Sequence, residues 1–117
     1  MLTNSSLTVY HKVEENHDYK WVRYNYGDKS NNKVWFYGGK GASLNKGLEN
    51  ANDCQIRIPY DLNPSLDYNN FGIGDILVQG EHKDITSEED ITSEYFNITS
   101  LNNNVFGNNK HIHIGGK

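Results

Sequence analysis

The sequence predicts an all-β fold, mainly antiparallel, in the form of a small barrel or sandwich with one short helix and long loops. Six to eight short segments alternate apolar and polar residues with a period of two, which is typical of strands. Asn, Gly and Asp cluster between these segments, as expected of turns. The segments do not alternate with helices, so a parallel sheet is disfavoured. With 117 residues, the chain is the size of a single domain spanning 1–117 around one small core.

The first strand is predicted at residues 6–13, SLTVYHKV. Leu7, Val9 and His11 face one way and Tyr10 faces the other, because successive side chains of a strand point to opposite sides of the sheet. A polar turn, EENHD, follows this strand.

Two aromatic segments come next, KWVRYNY at residues 20–26 and VWFYGG at residues 34–39. Both are rich in aromatic and β-branched residues, which favour strands. A polar turn over residues 27–33 joins them, so we expect a long hairpin here. Residues 38–53 contain four glycines and no sustained periodicity, which predicts a loop.

Two strands are predicted on either side of a turn-rich segment in the middle of the chain. In CQIRIPY, residues 54–60, Cys54 and two isoleucines face inward and polar residues face outward. In DILVQG, residues 75–80, a short apolar run is bounded by glycines, as in a buried strand.

The last third of the chain predicts one helical turn and two more strands. Thr86 or Ser87 is expected to cap a turn that carries three acidic residues near its N-terminus. The strand at residues 94–101 places Phe96 and Ile98 on one face, together with either Ser100 or Leu101. The final strand is HIHIGG, residues 111–116.

Composition and charge narrow the classes of function. The 11 basic and 15 acidic residues give a net charge of -4, and the basic residues are scattered, so tight nucleic-acid binding is disfavoured. The single cysteine cannot form an internal disulfide, which favours folding in a reducing cytoplasm. We expect no signal peptide, no transmembrane helix and no membrane partner, because no long apolar run is present.

Near the C-terminus, KHIHIGGK places His111 and His113 two residues apart on a predicted strand. Their side chains share one face, with Cβ atoms roughly 7 Å apart, which suits two ligands of one metal ion. A third ligand would have to be one of the other histidines, His11, His17 or His82. We favour the alternative, in which Ile112 and Ile114 pack inward while both imidazoles face solvent or a partner chain, with no metal and no cofactor.

Three other patterns carry weaker chemical signals. The glycine-rich loop lacks the G-x-x-x-x-G-K-[ST] pattern of a phosphate-binding loop. The acidic segment at residues 84–94 lacks the EF-hand pattern and is expected to be a solvated surface. Cys54 alternates with isoleucines and is expected to be a core residue rather than a nucleophile. The sequence therefore predicts no catalytic residues and no enzyme.

Aromatic residues crowd the first third of the chain, and a domain this small cannot bury all of them. Tyr and Trp are favoured at interfaces, although cross-strand aromatic pairs also stabilise ordinary sheets. The candidate partner-binding residues are Trp21, Tyr24, Trp35 and Tyr37 of the predicted hairpin and Lys40, Asn45 and Lys46 of the loop.

Five segments carry a resemblance to a known family: LTNSSLTVYHK, KWVRYNY, VWFYGGKGASLNKGLENANDCQIRIPYD, FGIGDILVQG and NNVFGNNKHIHIGGK. Together they resemble an uncharacterised family of small tailed-bacteriophage proteins, encoded among the virion structural genes of phages and prophages of low-GC Gram-positive bacteria. The resemblance covers nearly the whole chain. Gene position and the β-rich pattern are similar to those of head-completion proteins, the rings between portal and tail that include the stopper.

The resemblance implies a non-enzymatic virion structural protein, folded in the host bacterial cytoplasm and carried in the virion as a head-tail connector ring subunit. Its expected partners are its own copies, in a hexameric or dodecameric ring, and adjacent portal, adaptor or tail proteins. Such a ring needs one patch to dock head-to-tail on a different patch of the next copy. The alternative is a capsid decoration protein or a baseplate module that binds host-surface carbohydrate through exposed Tyr and Trp.

Overall fold

The computed structural model describes residues 2–38 and 54–117, which form one antiparallel sheet of seven strands. The strands are β1 (Leu7–Glu15), β2 (Asp18–Tyr26), β3 (Trp35–Gly38), β4 (Cys54–Pro59), β5 (Ile76–Gln79), β6 (Phe96–Asn104) and β7 (His111–Gly116). Their order in space is β2-β1-β5-β6-β7-β4-β3. The predicted antiparallel all-β class is confirmed, and the sheet is a single layer that does not close into a barrel.

The main hydrophobic core lies on one face of this sheet and draws residues from all seven strands. Tyr26 of β2 and Phe36 of β3 belong to the same buried cluster although their strands are the two edges, so the sheet curls around the core. Fully burying one Val, Leu, Ile or Phe side chain in such a core stabilises the fold by about 1.5–3 kcal/mol. The inward-facing isoleucines predicted for residues 54–60 and 111–116 are confirmed. Their side chains in β4 and β7 are fully buried: Ile56, Ile58, Ile112 and Ile114.

A second, smaller cluster covers the opposite face of β1, β2 and β5. Its buried members include Tyr10 and Trp21, and three side chains from the segment after β5 pack over them, Ile85, Ile91 and Tyr95. Tyr10 therefore faces away from Leu7 and Val9, as the period of two in β1 predicts. Both faces of the sheet are therefore covered at residues 7–10 of β1 and 76–78 of β5.

The predicted hairpin between residues 20–26 and 34–39 is wrong. β2 pairs with β1 through the two-residue turn Asn16–His17, whereas β3 pairs with β4 at the other edge of the sheet. Asn16 (φ 52°) and His17 (φ 67°) both adopt the left-handed conformation. Two such residues match the twist of antiparallel strands, so the short turn selects β1 as the partner of β2.

The segment before β1 binds the outer edge of β3. Ser5 and Val34 form an antiparallel bridge, in which the Ser5 N–H donates to the Val34 carbonyl at 3.1 Å. The side chain of Asn4 continues this contact, since its Oδ1 accepts from the Phe36 N–H at 2.8 Å and its Nδ2 donates to the Phe36 carbonyl at 3.0 Å. The outer backbone groups of Val34 and Phe36 are thereby occupied.

An irregularity in β6 decides which of two residues faces the core. The pairing of β6 with β7 shifts register between Ile98 and Ser100, as in a β-bulge. Leu101, rather than Ser100, consequently packs against the main core after Ile98. The alternation in the sequence leaves both residues possible because a bulge moves the period of two by one residue.

Helical structure in the described residues consists of two single 3-10 turns. The predicted turn is Glu88–Asp90 with Ser87 as its N-cap residue, and the second is Tyr68–Asn70. In the latter, the Asp67 carboxylate accepts from the Asn69 N–H at 2.9 Å. Across both described ranges, no helix is long and apolar enough to cross a membrane.

Gly116 occupies a position in the core where a side chain does not fit. A Cβ there would lie 2.9 Å from Cys54 Sγ, 3.0 Å from Leu77 Cδ1 and 3.1 Å from Phe96 Cβ. We expect Gly116→Ala to lower the free energy of unfolding by about 1–3 kcal/mol, the usual effect of overpacking a core. Urea denaturation measures this loss. Gly72→Ala is the control, because a Cβ there meets no atom closer than 3.7 Å; equal losses in the two variants would contradict the interpretation.

Candidate functional site

The outer face of β3, β4 and β7 carries an exposed group of aromatic and polar side chains. The strand register places Trp35 of β3 opposite Arg57 of β4, and Arg57 opposite His113 of β7. In the next row, Tyr37 lies opposite Gln55. We call the three side chains Trp35, Tyr37 and Arg57 the aromatic platform.

The platform is a stack of three flat groups. The rings of Trp35 and Tyr37 are nearly parallel, with an interplanar angle of 5° and centroids 5.8 Å apart. The Arg57 guanidinium lies 4.9 Å from the Trp35 ring centroid, a cation–π geometry that contributes about 0.5–1 kcal/mol at an exposed site. Tyr37 remains 59% exposed. The stack is therefore held in place while much of its surface faces solvent.

The predicted partner-binding residues separate into three environments. Trp35 and Tyr37 form the platform, as described. Trp21 is only 9% exposed and belongs to the second cluster, and Tyr24 packs against the main core, so neither shares the platform's surface. The predicted loop residues, Lys40, Asn45 and Lys46, lie outside the described residues.

His111 and His113 lie on the outer face of β7, opposite the buried isoleucines, and are half-buried. The Nδ1 atom of His111 is 2.7 Å from the Asn109 carbonyl, so Nδ1–H donates and Nε2 accepts from the Asn104 amide at 3.1 Å. The Nε2 atom of His113 lies 2.7 Å from Gln55 Oε1, to which it donates. Burial lowers the pKa of His113, and the nearby charges of Arg57 and His111 lower it further.

The structure does not assemble the three-ligand metal site that the histidine pair raises as a possibility. Within residues 2–38 and 54–117, no three His, Cys, Asp or Glu side chains are grouped to hold a metal ion. His11 pairs with Asp75 instead, and the Nε2 atom of His82 lies 2.8 Å from the Gln79 carbonyl.

A His–Asp pair with a buried carboxylate is the feature that sequence reasoning missed. Asp75, 2% exposed, accepts from His11 Nδ1 at 2.5 Å, from the Gly72 N–H at 2.7 Å and from the Lys12 N–H at 3.1 Å. The carboxylate accepts from His11 Nδ1–H and thereby orients the imidazole ring. A pair of this kind orients a general base in hydrolases. Here the same bonds join β1 to the turn before β5, which is a structural role.

A cleft of about 320 Å³ lies between Tyr10 and Val78 of the sheet and the segment of residues 81–93. The Tyr10 hydroxyl donates to the Lys83 carbonyl at 2.5 Å across it, and burial raises the pKa of Tyr10. The cleft is thus bridged by a hydrogen bond between the sheet and the segment that covers it.

Two carboxylates of the predicted acidic surface, Asp84 and Asp90, form contacts with other residues of the chain. Asp84 forms an ion pair with Arg23, with 3.0 Å between Arg23 Nε and Asp84 Oδ1. Asp90 accepts from both the N–H and the hydroxyl of Thr86, at 2.9 and 2.8 Å, and these bonds lower its pKa. These carboxylates organise the segment after β5. The predicted role of Cys54 as a buried core residue is confirmed, since it is 2% exposed.

The fold and the platform together define a small antiparallel β protein with an exposed aromatic surface. Residues 2–117 match the profile of a family of unknown function, DUF6751, and the chain belongs to this family. No curated protein and no solved structure matches the chain.

His113 is expected to make stability depend on pH. Because its pKa in the folded protein is below the usual value of 6.5, the unfolded chain takes up its proton at a higher pH. The free energy of unfolding therefore falls as the pH drops through that value. We expect His113→Gln to remove part of the loss between about pH 7.5 and about pH 5. Urea denaturation at both pH values checks this.

His17→Asn is the matched control for this experiment, because His17 lies exposed in the β1–β2 turn and Asn accepts its left-handed backbone. The control is expected to keep the wild-type pH dependence. If His113→Gln also keeps it, the histidine does not contribute as described.

Proposed function

We propose that this protein is a non-enzymatic structural protein of a tailed-bacteriophage virion, a stopper-like subunit of a ring at the head-tail junction. The proposal begins from the resemblance of its sequence segments to small virion-module proteins. The observation in the structure that supports it is the exposed aromatic platform, which is a suitable patch for docking another protein.

The platform has the chemistry of an interface centre. Trp, Tyr and Arg are the residues most enriched among those that dominate binding energy at protein interfaces. Trp35 and Arg57 hold each other in place, so little side-chain entropy remains to be lost on docking. Tyr37 lies outside the main core and is 59% exposed, so a partner could cover it without disturbing the fold.

A charge difference between two surfaces supports head-to-tail docking. The platform carries the Arg57 cation. The segment of residues 81–94, which covers the other half of the sheet, contains six acidic residues and one lysine. Contact between the platform of one copy and this acidic segment of the next is heterologous, which is the type of contact that generates rings.

The test is the absolute mass of the purified protein by light scattering after size exclusion, with and without EDTA. We expect a ring-sized species that EDTA does not change, and we expect the double variant Trp35→Ala/Tyr37→Ala to lose it. Phe106→Ala is the control, because Phe106 is 90% exposed and lies in the β6–β7 connection, outside the three residues of the platform. A monomeric wild-type protein, together with its absence from purified virions by mass spectrometry, would overturn the proposal.

A specific observation favours a second function, recognition of carbohydrate on the host surface. The two nearly parallel rings of the platform provide a flat apolar surface, and Gln55 and His113 border it with hydrogen-bonding groups. Sugars bind surfaces that combine an aromatic ring with neighbouring polar groups.

Tryptophan fluorescence separates this second function from the first. In Trp21→Phe, Trp35 is the single remaining tryptophan and reports on the platform. Carbohydrate binding predicts that fragments of host cell-wall polysaccharide quench this signal in a saturable way. In the matched Trp35→Phe variant, the buried Trp21 is expected to show no change. Equal responses in the two variants would rule out binding at the platform.

A further inference from the structure

The two edges of the sheet differ in whether another strand can bind them. At the β3 edge, the bridge to Ser5 and the side chain of Asn4 occupy the outer backbone groups of Val34 and Phe36. At the β2 edge, nine residues lie in extended conformation, and among the described residues β1 is their one neighbouring strand. An unpaired edge of this length is a ready site for a further strand.

The β1–β2 turn determines which backbone groups of β2 point outward. In a two-residue hairpin the flanking residues, Glu15 and Asp18, form a hydrogen-bonded pair, and every second residue of β2 then bonds to β1. The outward groups belong to the other four residues, Tyr19, Trp21, Arg23 and Asn25. The Tyr19 N–H donates to Asp18 Oδ1 at 2.8 Å, and in the described part of the chain no strand pairs with the outward groups of the remaining three.

We propose that β2 pairs with β2 of a second copy of this chain, antiparallel, about a two-fold axis at Val22. Val22 is the central residue of β2, so this register pairs all nine residues of the strand with their counterparts. The proposal goes beyond the ring function and does not depend on it. The contact is isologous, whereas the ring contact joins two different patches.

The sequence of β2 is complementary to itself in this register. Trp21 lies opposite Arg23 of the second copy, and Lys20 lies opposite Tyr24 of the second copy, so each cation is in register with an aromatic residue and no like charges face each other. Moving the axis to Arg23 would place two arginines directly opposite. This complementarity selects a second copy, rather than an unrelated strand, as the partner.

Within residues 2–38 and 54–117, β2 contains two buried polar side-chain atoms that lack a hydrogen-bond partner. Among the described residues, the buried side-chain atoms without a hydrogen-bond partner are Trp21 Nε1 and Tyr26 Oη. Both belong to β2. Leaving such a group unpaired costs about 1–3 kcal/mol.

A cysteine placed on the axis tests the pairing directly. Val22 is a non-hydrogen-bonded position of the proposed pair, where Cα atoms lie about 4.5 Å apart, within the range of a disulfide. We expect Val22→Cys to form a disulfide-linked dimer under mild oxidation. In the matched variant Lys20→Cys, the two substituted positions are on the order of 14 Å apart, so it is expected to stay monomeric on a non-reducing gel. The native Cys54, which is 2% exposed, is kept in both, and the wild-type protein reports its contribution.

The second measurement compares Arg23→Pro with Arg23→Ala by light scattering over a range of concentrations. Both variants lose the contacts of the Arg23 side chain with His82 and Asp84, but only proline also removes the outward N–H. We expect the wild-type protein to reach twice 13.4 kDa, or a multiple of it, and Arg23→Pro to dissociate at least tenfold more readily than Arg23→Ala. Circular dichroism verifies that each variant is folded.

The outcomes separate this proposal from the ring. Equal cross-linking of Val22→Cys and Lys20→Cys, or none in either, overturns the β2 pairing even if a ring is present. Selective cross-linking in a species of two copies supports the pairing and leaves the ring without support. Selective cross-linking within a larger species supports both.

Discussion

The sheet depends on a narrow joint between its two halves, centred on one buried carboxylate. β5 has four residues and pairs with β6 through two residue pairs only. Asp75 extends this joint, because its carbonyl accepts from the Ile98 N–H of β6 at 2.8 Å while its carboxylate accepts from the Lys12 N–H of β1 at 3.1 Å. A buried carboxylate is tolerated only when its hydrogen bonds are satisfied. The pairing with His11 and Gly72 completes that set, so three strands meet at one residue.

The second joint, between the segment before β1 and β3, decides what the molecule presents to other molecules. Asn4 and Ser5 bind β3 and thereby cover one edge of the sheet. Within the part of the chain that the structure describes, β2 is then the edge open to another strand. Because the sheet curls around the main core, the outer face of β3, β4 and β7 points away from that core. Trp35 and Tyr37 stack on this outer face.

The aromatic residues of the first third illustrate how one compositional signal covers several roles. Tyr26 stacks on Phe71 in the main core, with ring centroids 5.8 Å apart. Trp21 lies in the second cluster, where Tyr19 meets it edge-on at 5.9 Å. Tyr37 belongs to the platform. Aromatic residues suit all three environments because they combine a large apolar surface with defined ring geometry, so their number alone does not indicate which of them meets a partner.

The sequence by itself determined where the strands lie and which residues share a face, because side-chain direction in a strand alternates locally. This is why the inward isoleucines of β4 and β7 follow from the pattern. The partners of each strand, the bulge after Ile98 and the bond between His11 and Asp75, 64 residues apart, were decided only by the tertiary structure. Such features depend on which strands become neighbours, and on where buried polar groups find partners, and neither is encoded within one segment.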